Sequence, residues 1–263
     1  MPRFSANLSM LYPELPFMER FEAAARDGFK AVEYVGAYDQ PSAVLKALLD
    51  RFGLAQALFN LPAGDWGSGE RGIACHPDRV DEFRRSVDTA IAFASATGCG
   101  QVNCLAGIAP DGAERLMLEK VLVNNLAYAA PRLADAGIKL LLEPINTRDM
   151  PGFLINSTGD YERIAAAVDH DNLYLQYDFY HMQVVQGDLI PTFRRLQPRI
   201  AHVQIADHPG RHEPGTGEVN YGNIFKALDE AGYAGWVGAE YRPMAGTSAG
   251  LGWLEPWRVA SGS

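Results

Sequence analysis

Eight short apolar segments alternate with longer amphipathic segments along the 263-residue chain. Short runs rich in branched apolar side chains are typical of buried strands, and apolar residues three or four positions apart are typical of helices. Eight such cycles match the strand count and size of a (β/α)8 barrel. The pattern predicts strands at 4–8, 31–35, 54–58, 101–105, 138–143, 173–178, 200–205 and 236–241.

The amphipathic segments between these strands predict the helices of such a barrel. Pro131 lies inside the longest of them, and we expect a kink or a division there because proline lacks an amide hydrogen. The segment after the third strand, 60–77, is rich in glycine and is predicted to be a loop. The helices are predicted at 16–28, 41–52, 78–98, 113–136, 157–168, 188–196, 221–231 and 248–257.

The competing fold is a doubly wound open sheet, which would place a glycine-rich phosphate-binding turn after an early strand. No such G-x-G-x-x-G motif follows the first three predicted strands, and the late GTG at Gly215 to Gly217 lacks the third glycine. No linker of biased composition divides the chain. We therefore expect one α/β domain, a single (β/α)8 barrel over residues 1–263.

The charge balance narrows the classes of partner. The chain carries 23 basic and 32 acidic side chains, a net charge of −9, which disfavours nucleic acid and anionic membranes as partners. The amino-terminal segment does not resemble a signal peptide, and no run of eighteen apolar residues occurs. Three cysteines, an odd number, do not indicate a disulfide framework, so the expected location is the cytoplasm.

Polar side chains end four consecutive predicted strands. The segments KLLLEP, LYLQYD and GWVGAE end their strands in Glu143, Asp178 and Glu240, and IAHVQIAD carries Gln204. Because the active sites of (β/α)8 barrels lie where the strands end, these side chains are expected to meet at one end of the barrel. A single acidic residue at a strand end is more often a helix cap or a solvated charge, but three carboxylates and one amide on four successive strands favour a site.

Three carboxylates converging in a partly dry pocket would repel each other unless one stayed protonated or a cation joined them. Oxygen ligands of this kind suit Mg²⁺, or alternatively Mn²⁺, better than metals that prefer sulfur. The sequence therefore predicts a divalent metal site formed by Glu143, Asp178, Gln204 and Glu240.

Further candidates lie beside these strand ends. His181 follows Asp178 by three residues and is predicted to contact substrate, whereas His202, on the same side of its strand as Gln204, is expected to be a buried structural histidine. Arginines in the loops after the third and seventh strands could pair with a substrate carboxylate. These loop candidates are Glu70, Arg71 and Arg211, with a loop-closing ion pair of Glu70 as the alternative.

Seven segments together resemble one known family. They are RFSANLSML, LPAGDWGSGERGIA, LLEPIN, YDFYHMQ, HVQIAD, HEPGTGEVNY and GWVGAEYRP, and they cover Phe4 to about Trp253, nearly the whole chain. This combination is similar to the hydroxypyruvate isomerases, which belong to the xylose-isomerase-like TIM barrels. The family's metal ligands fall at positions matching Glu143, Asp178, Gln204 and Glu240, and its two glutamates are regarded as the acid/base pair.

The resemblance implies a reaction without an organic cofactor, in which hydroxypyruvate and tartronate semialdehyde interconvert through an enediolate. The expected partner is thus a small hydroxy-oxo acid, and a homo-oligomer is possible. Phe59 departs from the family pattern, since some members have a histidine there, and a change in the pocket or in the substrate is the expected consequence. The sister activity, isomerisation of 2-oxotetronate, is the alternative, and LPAGDW and LLEPIN favour hydroxypyruvate.

Three other classes are weighed against these isomerases. A sugar epimerase of the same superfamily usually has a histidine where Gln204 stands, and a DNA-repair endonuclease on this barrel would need several histidines and a basic face. A barrel that only binds a small molecule would tolerate the loss of a carboxylate, whereas all are present here.

Overall fold

The computed structural model describes residues 1–257, and the last six residues of the predicted domain, 258–263, lie outside the described residues. Eight parallel strands form one sheet in the order β3-β2-β1-β8-β7-β6-β5-β4. The strands are β1 (Arg3–Asn7), β2 (Ala31–Glu33), β3 (Ala55–Leu58), β4 (Gln101–Cys104), β5 (Lys139–Leu142), β6 (Leu173–Asp178), β7 (Ile200–Ile205) and β8 (Trp236–Ala239).

The sheet is closed into a barrel between β4 and the residues that directly follow β3. The amide of Asn103 donates to the carbonyl of Phe59 over 3.0 Å, and the amide of Leu61 donates to the carbonyl of Asn103 over 2.8 Å. A parallel bridge between Asn60 and Asn103 lies at the same point. The expected TIM barrel architecture is therefore confirmed.

Helices follow the strands around the outside of the barrel. They are α1 (Arg20–Arg26), α2 (Ser42–Phe52), α3 (Val80–Thr97), α4 (Arg115–Asp135), α5 (Thr158–Val168), α6 (Phe179–Val185), α7 (Leu189–Leu196) and α8 (Tyr221–Glu230). Short 3₁₀ segments occupy Phe17–Glu19, Pro77–Arg79, Gln197–Arg199 and Ser248–Trp257. None of the described helices is long and apolar enough to cross a membrane.

The helices differ from the expected ones in two places. Helix α4 runs through Pro131 without being divided, because the buried residues around it, such as Leu126 and Leu133, pack against the barrel and offset the lost hydrogen bond. The sequence analysis also missed α6. It begins directly after β6, since the Asp178 carboxylate accepts from the amide of Tyr180 over 2.7 Å and caps the helix.

The inside of this barrel is unusually polar. Branched apolar side chains dominate the interior of most barrels of this class, but here the strands place a group of buried polar side chains inside. They are Ser5, Asn7, Glu33, Gln56, Gln101, Asn103, Gln176, His202 and Gln204. Buried polar groups are stable only when they are paired, so this interior must form a hydrogen-bonded network that supports the site above it.

Phe59 lies in the apolar layer between the strands and the helices. Its ring is fully buried and meets the rings of Phe93 on α3, at 5.0 Å, and Tyr38, at 6.0 Å. The expectation that Phe59 alters the pocket was therefore wrong, because alternation along the strand turns its side chain away from the barrel axis.

The position of Phe59 leads to a prediction about stability. We expect Phe59→Ala to lower the free energy of unfolding by about 3–5 kcal/mol, because a large buried ring is replaced by a cavity. The KM of the folded variant should stay within about twofold of the wild-type value. Urea unfolding and steady-state kinetics test this, and a large change in KM with little loss of stability would contradict it.

Candidate active site

Three carboxylates and one imidazole meet at the carboxyl-terminal end of the barrel. One potential ligand atom from each of Glu143, Asp178, His181 and Glu240 lies within 4.8 Å of all the others. Glu143, Asp178 and His181 are buried, and the side chain of Glu240 is 13% exposed. The strand ends bring the three carboxylates together as the sequence predicts, because parallel strands present their carboxyl ends at one face, and His181 lies beside them on α6.

The neighbouring strands set the lateral order of the site. Asp178 at the end of β6 is paired in register with Gln204 on β7, and Gln204 is paired with Gly238 on β8. Glu143 follows β5 directly and Glu240 follows β8 directly. Side chains from consecutive strands therefore lie side by side, which is why residues distant in sequence share one pocket.

Glu143 is held by a side chain from the point where the barrel closes. The side-chain nitrogen of Asn103 donates to Oε2 of Glu143 over 3.0 Å and to the side-chain oxygen of Asn60 over 3.2 Å. Because the backbone of Asn103 also joins β3 to β4, the closure of the barrel and the position of Glu143 depend on the same residue.

The environment strongly shifts the acidity of the three carboxyl groups. Burial raises the pKa of Glu143 well above its usual value, and the charges of Glu240 and Asp178 raise it further. Burial raises the pKa of Glu240 to about 7, although the guanidinium of Arg211 opposes the shift. Burial likewise raises the pKa of Asp178 to about 6. Strongly perturbed carboxyl groups in a shared pocket are typical of catalytic sites.

His181 is neutral and presents an N–H to the carboxylates. Burial lowers its pKa well below the usual value, and the charge of Arg211 lowers it further. The side-chain amide of Asn146 lies 2.6 Å from Nδ1, and its orientation is fixed because its oxygen accepts from the amide of Asp149. Nδ1 is therefore the acceptor and Nε2 carries the hydrogen, 3.5 Å from Oδ2 of Asp178.

Arg211 is the cation of the site. Its guanidinium donates to Oε2 of Glu240 and lies 3.8 Å from Oδ2 of Asp178. The residue adopts a left-handed backbone conformation with φ of 59°, uncommon outside glycine. Three backbone amides of its loop, at His208, Gly215 and Val219, donate to the buried carboxylate of Asp207 and hold the loop in place.

Gln204, a predicted metal ligand, is buried and is paired in register with Asp178. Its side-chain oxygen accepts from Gln176 over 2.6 Å, and its side-chain nitrogen donates to Glu33 over 2.8 Å. Its role as a ligand stays a prediction. His181 is the fourth group whose ligand atom lies close to the three carboxylates, and its expected contact with substrate stays a prediction.

Glu70 and Arg71 lie in the loop after β3 and are engaged within it. Glu70 forms an ion pair with Arg79 and accepts from the amide of Asp65, so the alternative of a loop-closing ion pair is observed. The guanidinium of Arg71 stacks 3.9 Å from the ring centroid of Trp66. Both side chains thus have partners near their own loop. That either of them binds the substrate stays a prediction.

His202 is fully buried, as expected for a structural histidine, with Nε2 2.9 Å from Oε2 of Glu33. The sequence analysis missed Glu33, Asn7, Asn103 and Asn146. The first three are polar residues at or near the ends of β2, β1 and β4, so the criterion applied to the last four strands would have found them.

The side chains present fit a divalent cation that prefers oxygen ligands. Oδ2 of Asp178 is buried and has no hydrogen-bond partner among residues 1–257, and the charges of Glu240 and Asp178 add to the effect of burial in raising the pKa of Glu143. Three carboxylates are a donor set that Mg²⁺ or Mn²⁺ accepts.

The raised pKa values predict how the stability of the metal-free protein depends on pH. A folded-state pKa of about 7 for Glu240, against an ordinary 4.5, favours the folded state while the group is protonated. The unfolding free energy in EDTA should therefore fall as pH rises from about 4.5 through about 7. Urea unfolding at pH 5 and pH 8 measures this. Glu240→Gln should reduce the slope, and an unchanged slope would contradict the assignment.

Comparisons with known proteins agree with this geometry. A family model described as xylose isomerase-like TIM barrel matches residues 21–257. The 2-oxo-tetronate isomerase of Cupriavidus necator is 49% identical over 98% of this chain and 99% of its own length. The hydroxypyruvate isomerase of Escherichia coli is 48% identical over 98% of this chain and 100% of its own length.

Solved structures of other proteins have the same fold. One from Brucella melitensis, described as an AP endonuclease of family 2, is 43% identical with a TM-score of 0.96 and covers 98% of this chain and all of its own. The 3-keto-D-glucoside 4-epimerase of E. coli, 19% identical with a TM-score of 0.78 over 97% of this chain and 99% of its own, shares the fold. With its buried carboxylates at the strand ends and relatives over nearly its full length, this chain belongs to the xylose isomerase-like TIM barrel family.

Proposed function

We propose that this protein is a metal-dependent isomerase that interconverts hydroxypyruvate and tartronate semialdehyde. The observation that carries the proposal is the group of three carboxylates and one neutral imidazole with ligand atoms within 4.8 Å of one another. Relatives named isomerases, 48–49% identical over 98% of the chain, support the class of reaction.

The reaction moves one hydrogen between neighbouring carbons, so it needs a base and an acid at the same substrate. One glutamate takes a proton from the carbon that bears the hydroxyl group, and the other returns a proton to the neighbouring carbonyl carbon. The hydroxyl proton moves to the adjacent oxygen, and the atoms balance without an organic cofactor. Glu143 and Glu240 are the proposed pair.

The acidity of this pair suits proton transfer near neutral pH. Without a cation, burial raises the pKa of Glu240 to about 7, and a bound cation would lower it toward the ionised form that a general base needs. Asn7 and Arg211 each hold one oxygen of Glu240, Asn7 over 3.1 Å to Oε1, so the carboxylate has a fixed direction. Asn103 does the same for Glu143.

Two further groups would orient the substrate. Nε of Arg211 is buried and has no hydrogen-bond partner within the described residues, so this cation has a donor available for the substrate carboxylate. The Nε2–H of His181 points toward the carboxylates and can donate to a substrate oxygen. Arg211 is therefore a better-placed carboxylate binder than Arg71, which stacks on Trp66.

A divalent cation, Mg²⁺ or Mn²⁺, completes the proposal. The ligands would come from Glu143, Asp178 and Glu240, with Gln204 as the proposed fourth, while the Nε2–H of His181 would donate to the substrate rather than bind the cation. When bound, the cation would stabilise the negative charge that develops on the substrate oxygens in the enediolate.

A second substrate, 2-oxotetronate, is favoured by the names of the relatives. The C. necator enzyme, 49% identical, is named for it, and the E. coli enzyme, 48% identical, is named for hydroxypyruvate. The two acids share the carboxylate, the oxo group and the neighbouring hydroxyl carbon that the proposed residues would engage. The proposed chemistry is the same for both.

The other classes have less support. The relative described as an AP endonuclease, 43% identical, raises a DNA-directed role, but the net charge of −9 disfavours a phosphate backbone. Gln204 stands where sugar epimerases usually have histidine. The likeness to the E. coli epimerase, at 19% identity, concerns the fold alone. A barrel that only binds ligands would not need two carboxyl groups with pKa values raised this far.

The first test is an assay of the purified protein with hydroxypyruvate, 2-oxotetronate and a ketohexose. Turnover of at least one of the two acids is expected, with loss of activity in EDTA and recovery with Mg²⁺ or Mn²⁺. Glu143→Gln and Glu240→Gln should each lower kcat by about 10²–10⁴-fold, because glutamine cannot transfer the proton.

A buried glutamate outside the site provides the matched control. Glu119 on α4 is 8% exposed and pairs with Arg115 and Arg163, so Glu119→Gln should keep its activity. Retained activity in both active-site variants, or turnover of neither acid by the wild type, would refute the proposal.

A separate prediction concerns the substrate carboxylate. We expect Arg211→Met to raise KM by about 10-fold or more, since a hydrogen bond to a charged group contributes about 1.5–3 kcal/mol. Arg211→Lys should recover only part of the loss, because lysine cannot form the paired contact. Steady-state kinetics on Arg211→Met and Arg71→Met distinguish the two arginines, and a larger effect at Arg71 would contradict the assignment.

A further inference from the structure

A fourth carboxylate lies beneath the site, and the proposed reaction does not use it. Glu33, at the end of β2, is 1% exposed and is enclosed by strands on several sides of the barrel. Burial opposes its ionisation, but the charge of His202 and several hydrogen bonds outweigh that and lower the pKa of Glu33. Glu33 is thus a charged acceptor inside the barrel.

Each oxygen of Glu33 has its own set of partners. Oε2 accepts from the hydroxyl of Ser5 over 2.7 Å and lies 2.9 Å from Nε2 of His202. Oε1 accepts from the side-chain amides of Gln204, over 2.8 Å, and Asn7, over 3.2 Å. The Oε1 partners are the ones that lead to the active site.

Glu33 determines which end of the Gln204 amide faces away from it. A carboxylate can only accept hydrogen bonds, so Gln204 must present its nitrogen to Glu33 and turn its oxygen to the other side. That oxygen accepts one bond, from Gln176 over 2.6 Å, and a carbonyl oxygen has two lone pairs. If the amide were reversed, N–H groups would replace the only atom of Gln204 that can bind a cation.

The second path runs through Asn7 to Glu240. The side-chain nitrogen of Asn7 donates to Oε1 of Glu33 over 3.2 Å and to Oε1 of Glu240 over 3.1 Å. One amide group therefore joins the deep carboxylate to a proposed acid/base residue. Because Glu33 accepts one of the two amide hydrogens, the other is directed at Glu240.

The backbone leaves room for this arrangement. A Cβ atom at Gly238 on β8 would lie 2.3 and 2.4 Å from the two oxygens of Glu33, so only glycine permits the carboxylate to occupy its position. Gly238 is paired in register with Gln204. β8, which Glu240 follows directly, thus has a glycine at the position where the carboxylate of Glu33 lies against it.

We infer that Glu33 is a positioning residue that turns the side-chain oxygen of Gln204 toward the metal site and, through Asn7, fixes the direction of Glu240. This inference rests on the proposed function, since it assumes that Gln204 and the three carboxylates bind a divalent cation. Partners of metal ligands in other proteins typically change metal affinity or activity by about 10–100-fold when mutated.

Three variants and two measurements test the inference. Glu33→Met keeps the length of the side chain but removes the acceptor, and Glu33→Gln keeps an acceptor on the side of Gln204 and Asn7. Ser5→Ala removes a hydrogen bond to Oε2 alone. Mn²⁺ affinity of the metal-free proteins is measured from the electron paramagnetic resonance signal of free Mn²⁺, and kcat is measured at saturating Mn²⁺. Thermal unfolding verifies that each variant is folded.

We expect Glu33→Met to weaken Mn²⁺ binding by about 10-fold or more and to lower kcat, whereas Glu33→Gln and Ser5→Ala remain within about threefold of the wild type. If Glu33→Met does not fold, Glu33→Asp replaces it, because the shorter side chain withdraws the carboxylate from Gln204 and the same loss is expected.

The outcomes separate this inference from the proposed function. If the wild type binds Mn²⁺ and isomerises substrate but Glu33→Met or Glu33→Asp equals it in Mn²⁺ affinity, the inference is overturned and the proposed function stands. An equal loss in Ser5→Ala would also overturn it, by showing a general effect of the buried network. If the wild type does not bind Mn²⁺, both fail.

Discussion

The mutual repulsion of Glu143, Asp178 and Glu240 is the constraint on which the rest of this barrel depends. Burial raises the pKa of all three carboxyl groups, and the charges of neighbouring carboxylates raise it further. Each is therefore held by a donor: Glu143 by Asn103, Asp178 by the first turn of α6, and Glu240 by Arg211. A cation bound between the three carboxylates would remove their mutual repulsion. The fold thus maintains an arrangement whose charge suits a metal-dependent reaction.

The polar interior of the barrel follows from that constraint. An apolar floor would leave the donors around the site unsupported, whereas the buried network gives Gln204 and Asn7 fixed partners. Glu33 is central to it because its oxygens accept from β1 and β7 side chains at once. Its charge is compensated by hydrogen bonds and by His202. Hydrogen bonds therefore connect the buried polar interior to the residues of the site.

The loops after β3 and β7 have different roles at the end of the barrel. Asp207 gathers three backbone amides of the loop after β7, which allows Arg211 to hold a left-handed conformation beside Glu240. The loop after β3 is closed by the Glu70–Arg79 ion pair and by the stacking of Arg71 on Trp66. One loop thus delivers a cation to the carboxylates, whereas the polar residues of the other stabilise the loop itself.

The sequence by itself determined the barrel and the convergence of the three carboxylates. The β6 and β7 ranges agree with the expected ones, because apolar periodicity is a local property. The sequence did not reveal α6, whose start depends on the cap by Asp178, or the continuity of α4 through Pro131, which depends on packing. Only the tertiary structure decided that Phe59 faces the helices, that Glu70 pairs with Arg79, and that Glu33 supports Gln204 and Asn7. The reason is physical: hydrogen bonds and ion pairs between distant strands depend on which side chains the closed barrel brings within about 3 Å, and no local pattern encodes that distance.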